Sequence, residues 1–327
     1  MRPLVKRSSD LKIFTTRRNQ EFAEKTAVSI GYGLGKVEIK DFANKEIWVK
    51  YHTNIRGDDI FIIGSTDGDP RYLFELLVML RAAKLASAYR ITAVIPCFGG
   101  RQDRKDEPRT CITARLNADL ITEAGADRVI TMDLHAPQIQ GFFKIPVDHL
   151  FSSLDFCPYF QKLNVDKLAI CTTDLGGLKM AKKYKNFLGA KTIIIHDKDR
   201  KAHNETDVSN IIGDAKGFNI LLLDDLIDTG KTFFNTCDSL ITAGALEIYG
   251  WCTHPVLSGN ALNMLCQYVQ EKKIKMMLLG DTLPFEPRAE ITTISQSSTF
   301  GEAIAASFEN RSVSHLFLEN KDDDDVD

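Results

Sequence analysis

Asn219-Ile-Leu-Leu-Leu-Asp-Asp-Leu-Ile-Asp-Thr-Gly-Lys-Thr232 joins an apolar strand, three carboxylates and a helix start in one short run. Ile220 to Leu223 form an unbroken apolar stretch of the kind buried on both faces within a parallel sheet. Thr229-Gly-Lys-Thr232 predicts the opening of a helix that continues through Phe233 to Ala243. The first N–H groups of a helix lack partners within it, so this start offers donors to a phosphate. Asp224 and Asp225 would repel a phosphate, but carboxylates accept well from two vicinal ribose hydroxyls. The run therefore predicts a clamp for ribose 5-phosphate on a parallel α/β scaffold.

Two other readings fit the same residues less well. Gly230-Lys231-Thr232 has the ending of a nucleotide-binding P-loop, but that motif needs a glycine five positions before the Gly-Lys pair, where Asp225 stands. An ordinary strand-to-helix turn capped by Asp228 accounts for one acid and leaves the pair Asp224-Asp225 without a role.

Outward from this run the chain alternates strands and helices. Strands are predicted at Leu11–Thr16, Val37–Phe42, Glu46–His52, Asp59–Ser65, Ile91–Cys97 and Arg128–Leu134, with helices at Gln20–Ile30, Arg71–Ser87 and Thr113–Ala124. Asp69-Pro70 supplies a cap and a first-turn proline to the second helix. The second half repeats the alternation. Its strands are predicted at Leu168–Thr173, Lys191–His196, Ile220–Asp224, Glu247–Thr253, Lys275–Gly280 and Ile291–Ser295, and its helices at Gly177–Phe187, Lys231–Ala243, Asn260–Glu271 and Ser298–Glu309. Such spacing implies mainly parallel sheets flanked by helices, with binding loops at the carboxyl ends of strands. An internal echo points to duplication: Ala124-Gly-Ala126 and Ala243-Gly-Ala245 each precede a strand, and His135 and His254 follow at the same offset.

At 327 residues the chain exceeds one typical core, and the boundary is expected near Leu150–Pro158. That gives a first domain over 10–152, a second over 153–320 and an acidic, disordered tail over 321–327, with return of the last helix to the first half as the alternative at the far end. A net charge of −3 with 26% charged and 44% hydrophobic residues gives no electrostatic footprint for nucleic acid or an anionic membrane. No apolar run reaches membrane-spanning length and the first residues lack the apolar stretch of a secretory signal, so a cytoplasmic protein is expected. Seven cysteines without Cys-x-x-Cys spacing read as reduced thiols.

Leu223 to Thr232 resembles the phosphoribosyl pyrophosphate loop shared by type I phosphoribosyltransferases and ribose-phosphate pyrophosphokinases. Arg101-Gln-Asp-Arg-Lys-Asp106, the stretch Gly125 to Phe143 and Ile145-Pro-Val-Asp148 resemble the signature segments of the pyrophosphokinases, and the similarity runs from about Leu11 to Leu318. The resemblance implies two similar domains of type I phosphoribosyltransferase-like fold and a magnesium-dependent transfer of the β,γ-diphosphoryl group of ATP to the C1 hydroxyl of ribose 5-phosphate. It also implies self-association, commonly as a hexamer built from dimers.

The resemblance further implies a site. Asp224, Asp225, Asp228, Thr229, Gly230, Lys231 and Thr232 would bind ribose 5-phosphate, although Lys231 stands where glycine is common. Asp174, Leu175, Gly176 and Gly177 would form a diphosphate loop, with Thr173 in place of the usual proline. Arg101, Gln102 and Asp106 match an ATP-contacting loop, whose preceding Phe98-Gly-Gly100 is one residue shorter than is usual and lacks a tyrosine. Phe42, Asn44 and Glu46 match a segment that reaches a neighbouring subunit's adenine. His135 and Asp174 would be magnesium ligands with Asp133 in support, and Lys198 and Arg200 would be the catalytic cations, with Asp199 where a basic residue is common. Arg56, Arg109, Ser312 and Ser314 match a site at which phosphate activates relatives, but Asn54 and His149 replace a serine and an asparagine of that site. A phosphoribosyltransferase that consumes the product, and a synthetase-associated subunit without catalysis, are the alternatives; the first leaves Arg101–Asp106 unexplained and the second is disfavoured by Lys198, Arg200, His135 and Asp174.

Overall fold

The computed structural model describes residues 9–100, 108–198 and 209–316. The chain divides into two compact units, one built from the residues up to Phe151 together with those from Ser297, the other from Ser152–Gln296. The 153–320 domain expected from sequence is thus corrected at its far end: the last helix belongs to the first unit.

In the first unit, β1 (Leu11–Thr15), β4 (Asp59–Ile63), β5 (Arg90–Ile95), β6 (Arg128–Met132) and β7 (Val147–Leu150) form a parallel sheet in the order β1-β4-β5-β6-β7. α1 (Gln20–Ser29), α2 (Pro70–Leu85) and α3 (Thr113–Ala124) connect or flank these strands. Asp69 caps α2 by accepting from the Arg71 N–H at 2.8 Å, with Pro70 in the first turn. The segments 37–42 and 46–52 do not join the sheet. They pair as an antiparallel hairpin of β2 (Val37–Asp41) and β3 (Ile47–Tyr51). The core gathers Phe14, Ile60, Ile62, Leu76, Met79, Ile91, Ile95 and Ile121. α8 (Ser297–Phe308) lies on α1, where the Phe22 and Phe300 rings meet edge-on at 5.5 Å. A Cβ at Gly301 would lie 2.2 Å from the Ser29 hydroxyl and 3.1 Å from the Thr26 carbonyl, so the two helices approach closely at this glycine. Arg90 adds bonds to the Ser307 carbonyl and to Asn310.

The second unit contains α4 (Ser153–Gln161), β8 (Leu168–Thr172), α5 (Leu178–Leu188), β9 (Thr192–Lys198), β10 (Ser209–Ile212), β11 (Asn219–Ile227), α6 (Lys231–Thr242), β12 (Ile248–Pro255), α7 (Ala261–Gln270), β13 (Met276–Gly280) and β14 (Ile291–Ile294). Its sheet runs β10-β9-β8-β11-β12-β13-β14, parallel except for β10 against β9. The apolar run of the sequence explains its two-layered core. Ile220 and Leu222 face one cluster with Phe233, Cys237 and Leu240, whereas Leu221 and Leu223 face another with Phe156, Phe160, Tyr184 and Trp251. All four strand residues are fully buried, each worth roughly 1.5–3 kcal/mol of apolar burial.

Candidate active site

β11 sits between β8 and β12, with Leu223 opposite Thr172 on one side and Trp251 on the other. Its carboxyl end therefore opens onto the turn after β8, and the two loops meet. The strand runs farther than its apolar run suggests, so Asp224 and Asp225 lie on β11 itself. The Thr173 hydroxyl donates to Asp224 Oδ2 at 3.2 Å and the Leu226 N–H to Oδ1 at 3.4 Å. Burial of its carboxyl, and then the charge of Asp225, hold Asp224 well above the ordinary carboxylate range. Cys252, opposite Asp224 in the register, has its thiol pushed well up by burial and by the same two acids. It is a buried, protonated neighbour.

After β11 the chain turns at Gly230, whose φ of 76° places it in the left-handed region. A Cβ there would also strike the Phe234 ring at 2.4 Å, so glycine is required twice over. Gly230, not Thr229 or Asp228, is the residue before the first turn of α6. The Asp228 cap of the rival strand-to-helix-turn reading is not formed; its Oδ1 is buried without a hydrogen-bond partner. Lys231 begins α6 and is exposed.

β8 leads into the second loop. Asp174 is extended, and its Oδ1 accepts from the Gly177 N–H at 3.1 Å across a single 3-10 turn, Leu175–Gly177, before α5. Thr172 steadies the loop from behind, its hydroxyl donating to the Asp174 carbonyl at 2.9 Å. Asp174, Leu175 and Gly176 are exposed.

Other expected positions belong to the first unit. His135 is exposed just beyond β6, on a turn where Asp133 has a φ of 36°. The Leu134 N–H donates to Nε2 of the buried His149 at 2.9 Å, so His149 holds this turn from within. At the hairpin tip, Phe42 is 53% exposed and Glu46 is exposed. Asn44 uses Oδ1 to accept from the Glu46 N–H at 3.2 Å. An ionic group that sequence spacing did not disclose anchors this tip: Asp41 binds Arg17 and Arg71, and Arg17 also binds the buried Glu75. Arg71 also donates to the Lys45 carbonyl at 3.0 Å. Asn54 accepts from the exposed Arg56 N–H at 3.2 Å, Arg109 is exposed with a φ of 66°, and the Ser312 and Ser314 hydroxyls lie 2.7 Å apart.

Lys198 ends β9 with its backbone opposite Ser209. Its side chain lies outside the described residues, as do Arg101, Gln102, Asp106, Arg200 and the tail 321–327. For magnesium, Asp174 retains one carboxylate oxygen beyond its cap and His135 is an exposed imidazole. Among the described residues no three His, Cys, Asp or Glu side chains cluster as a metal cage. One or two protein ligands fit magnesium, which keeps water and takes substrate phosphate oxygens.

Two mainly parallel α/β units, one carrying adjacent acid and helix-start loops at its strand ends, define a protein of type I phosphoribosyltransferase-like fold. Residues 11–125 match the family model described as the N-terminal domain of ribose phosphate pyrophosphokinase, and residues 190–318 match a phosphoribosyl synthetase-associated domain. A ribose-phosphate pyrophosphokinase of Chlorobaculum tepidum is 47% identical over 94% of this chain and 95% of its own. One from Oceanobacillus iheyensis is 42% identical over 95% and 98%. The crystal structure of phosphoribosylpyrophosphate synthetase from Mycobacterium smegmatis superposes with a TM-score of 0.84 at 33% identity, covering 92% of this chain and all of that one. The chain belongs to the ribose-phosphate pyrophosphokinase family, whose members are diphosphotransferases.

Proposed function

We propose that the protein transfers the β,γ-diphosphoryl group of ATP to the C1 hydroxyl of ribose 5-phosphate, giving 5-phosphoribosyl 1-pyrophosphate and AMP. The observation that carries this reading is the meeting of two loops at the ends of β8 and β11: an acid pair suited to ribose hydroxyls beside a helix start suited to phosphate. The C1 oxygen attacks the β-phosphorus, the bond from that phosphorus to the bridging α,β oxygen breaks, AMP keeps that oxygen and the hydroxyl proton leaves to solvent. Phosphoryl chemistry of this kind needs alignment and charge neutralisation more than covalent help. Asp224 and Asp225 orient the sugar, the turn Asp228–Thr232 holds the 5-phosphate, and Asp174–Gly177 receives the diphosphate. Lys198 and Arg200 neutralise charge moving toward AMP. Magnesium, when bound at His135 and Asp174, supplies further neutralisation of the phosphates.

Phe42, Asn44 and Glu46 take the adenine of a neighbouring copy, with Arg101, Gln102 and Asp106 as the other ATP contacts, so activity requires self-association, as dimers assembled into a hexamer. Inorganic phosphate acts as an activator through Arg56, Arg109, Ser312 and Ser314. The protein works in the cytoplasm on ATP and ribose 5-phosphate and takes neither nucleic acid nor membrane as a partner. Seven cysteines with no disulfide among the described residues support a reducing compartment, and no helix among the described residues is long and apolar enough to cross a membrane.

The test is AMP formation by the purified protein with ATP, ribose 5-phosphate and magnesium, with and without phosphate. AMP and 5-phosphoribosyl 1-pyrophosphate in equal amounts are expected, faster with phosphate. No AMP under either condition overturns the reaction, and a rate indifferent to phosphate overturns the activation alone.

A further inference from the structure

We propose that Thr173 is a positioning residue for ribose 5-phosphate, its hydroxyl fixing the plane of the Asp224 carboxylate that receives the sugar. The inference rests on the reading of Asp224 as a ribose acceptor. Thr173 is the first residue after β8 and is 6% exposed. Because Thr172 pairs with Leu223 in the parallel register, Thr173 falls beside Asp224. Its Oγ1 donates to Oδ2 at 3.2 Å, while the Leu226 N–H reaches Oδ1 at 3.4 Å. Both carboxylate oxygens thus have a protein donor, and the Asp225 carboxyl shares a further side-chain hydrogen bond with Asp224, so the Thr173 contact is the one that ties this acid to the neighbouring loop.

The neighbouring threonine does something else. Thr172 turns its hydroxyl to the Asp174 carbonyl, bracing the diphosphate loop internally. Thr173 instead joins that loop to the sugar-binding strand across 51 residues of sequence. Its donation favours the ionised acceptor against the burial and the Asp225 charge that oppose it. Without the hydroxyl, Asp224 keeps its burial, the Leu226 N–H and the Asp225 carboxyl, but loses the side-chain donor that both favours its ionised form and holds its Oδ2 toward the β8 loop.

Thr173→Val keeps the branched shape and removes the donor. The expected result is a rise of about fivefold to tenfold in KM for ribose 5-phosphate, from loss of one hydrogen bond to a charged group. The effect falls on that KM and leaves KM for ATP within about twofold. Thr173→Ser restores the wild-type value. Calorimetric titration of ribose 5-phosphate without ATP reads the same contact as a weaker Kd, so the proposal is tested even if turnover fails. If valine does not fold, Thr173→Ala removes the same hydroxyl and is read in the same way. An unchanged KM and Kd for ribose 5-phosphate in the valine or alanine variant, an equal rise in KM for ATP, or no recovery with serine overturns the proposal. A wild type that binds ribose 5-phosphate through Asp224 but forms no AMP overturns the reaction proposed above and leaves this inference standing.

Discussion

Both units place loops at the ends of parallel strands, and the loops spend their polar groups differently. In chain order and sheet order β1-β4-β5-β6-β7 of the first unit match β8-β11-β12-β13-β14 of the second, so the loop after β4 and the loop after β8 stand one strand apart in that match. After β4 the loop is bonded to the loops that follow β1 and β5. Ser65 accepts from the Cys97 N–H at 3.1 Å and from Asn19 at 3.3 Å, and Thr66 accepts from the Gly99 N–H at 2.9 Å. After β8, Thr173 binds the acid pair while Asp174, Leu175 and Gly176 remain exposed. The same contrast recurs at the histidines of the internal echo, with its locked member now in the second unit. His135 is exposed, whereas His254 is 4% exposed and its Nδ1 bonds to Thr282 at 2.9 Å. Common topology sets where loops fall, and satisfied or exposed polar groups decide which of them can meet a ligand.

The most severe way to break this contrast is Lys198→Ala. We expect kcat to fall by ~10²–10³, the usual effect of removing one group that stabilises transition-state charge, with melting unchanged. Undiminished turnover would move the chemistry away from β9.

Asp224→Asn separates binding from stability. KM for ribose 5-phosphate should rise roughly 10- to 100-fold, as for a lost charge-assisted hydrogen bond. Stability should move the other way. The native state raises the proton affinity of Asp224, so it binds that proton more tightly than the unfolded chain does. Wild-type stability is therefore lost, relative to asparagine, as pH rises from the ordinary carboxylate range through the raised value. Above that window the variant should be about 1 kcal/mol more stable, ~2–4 °C in Tm, and the curves should converge below about pH 4. Thermal melts from pH 4 to 8 check the sign, and a gap that widens toward acid would contradict the burial argument.

The histidine pair sharpens the comparison directly. His254→Ala should cost about 1–3 kcal/mol of stability through a lost buried hydrogen bond. His135→Ala should leave melting within ~0.5 kcal/mol and raise the magnesium concentration needed for half-maximal rate. Equal effects of the two substitutions in both assays would dissolve the distinction.

The smallest effect is expected at the hairpin. Asp41→Asn frees the tip from Arg17 and Arg71, and KM for ATP should rise about two- to fivefold for less than about 1 kcal/mol of stability, since exposed ion pairs are weak. An unchanged KM would make the ionic group a surface feature only.

Elements with strong local signals were legible in the sequence. α3 spans the predicted residues, α2 starts at the Asp69-Pro70 signal, and the apolar run Ile220–Leu223 lies within a buried central strand, although that strand continues past the acid pair to Ile227. Three elements escaped. β7 is short and carries Asp148 and His149, buried polar residues satisfied by Arg128 and by the Leu134 N–H, so no apolar pattern marks it. α4 contains Pro158 and reads as a boundary, while β10 is a four-residue antiparallel edge. Within the site, the acids were visible but their partners were not. Thr173 and Asp224 are 51 residues apart, and Arg17 reaches Glu75 across 58, distances over which no local spacing rule operates.

The return of α8 to α1 bears on the order in which the chain can fold as it is synthesised. The second unit is a continuous stretch, 152–296, and is complete once its last residue emerges. The first must hold its opening residues open until Phe300 arrives to meet Phe22, nearly 280 positions later. Domains made during synthesis ordinarily finish from the amino end, and contacts of long sequence separation form slowly. Here the later unit can be native while the earlier one still exposes the Phe22 face of α1, so the first unit to be synthesised is the last whose core can close.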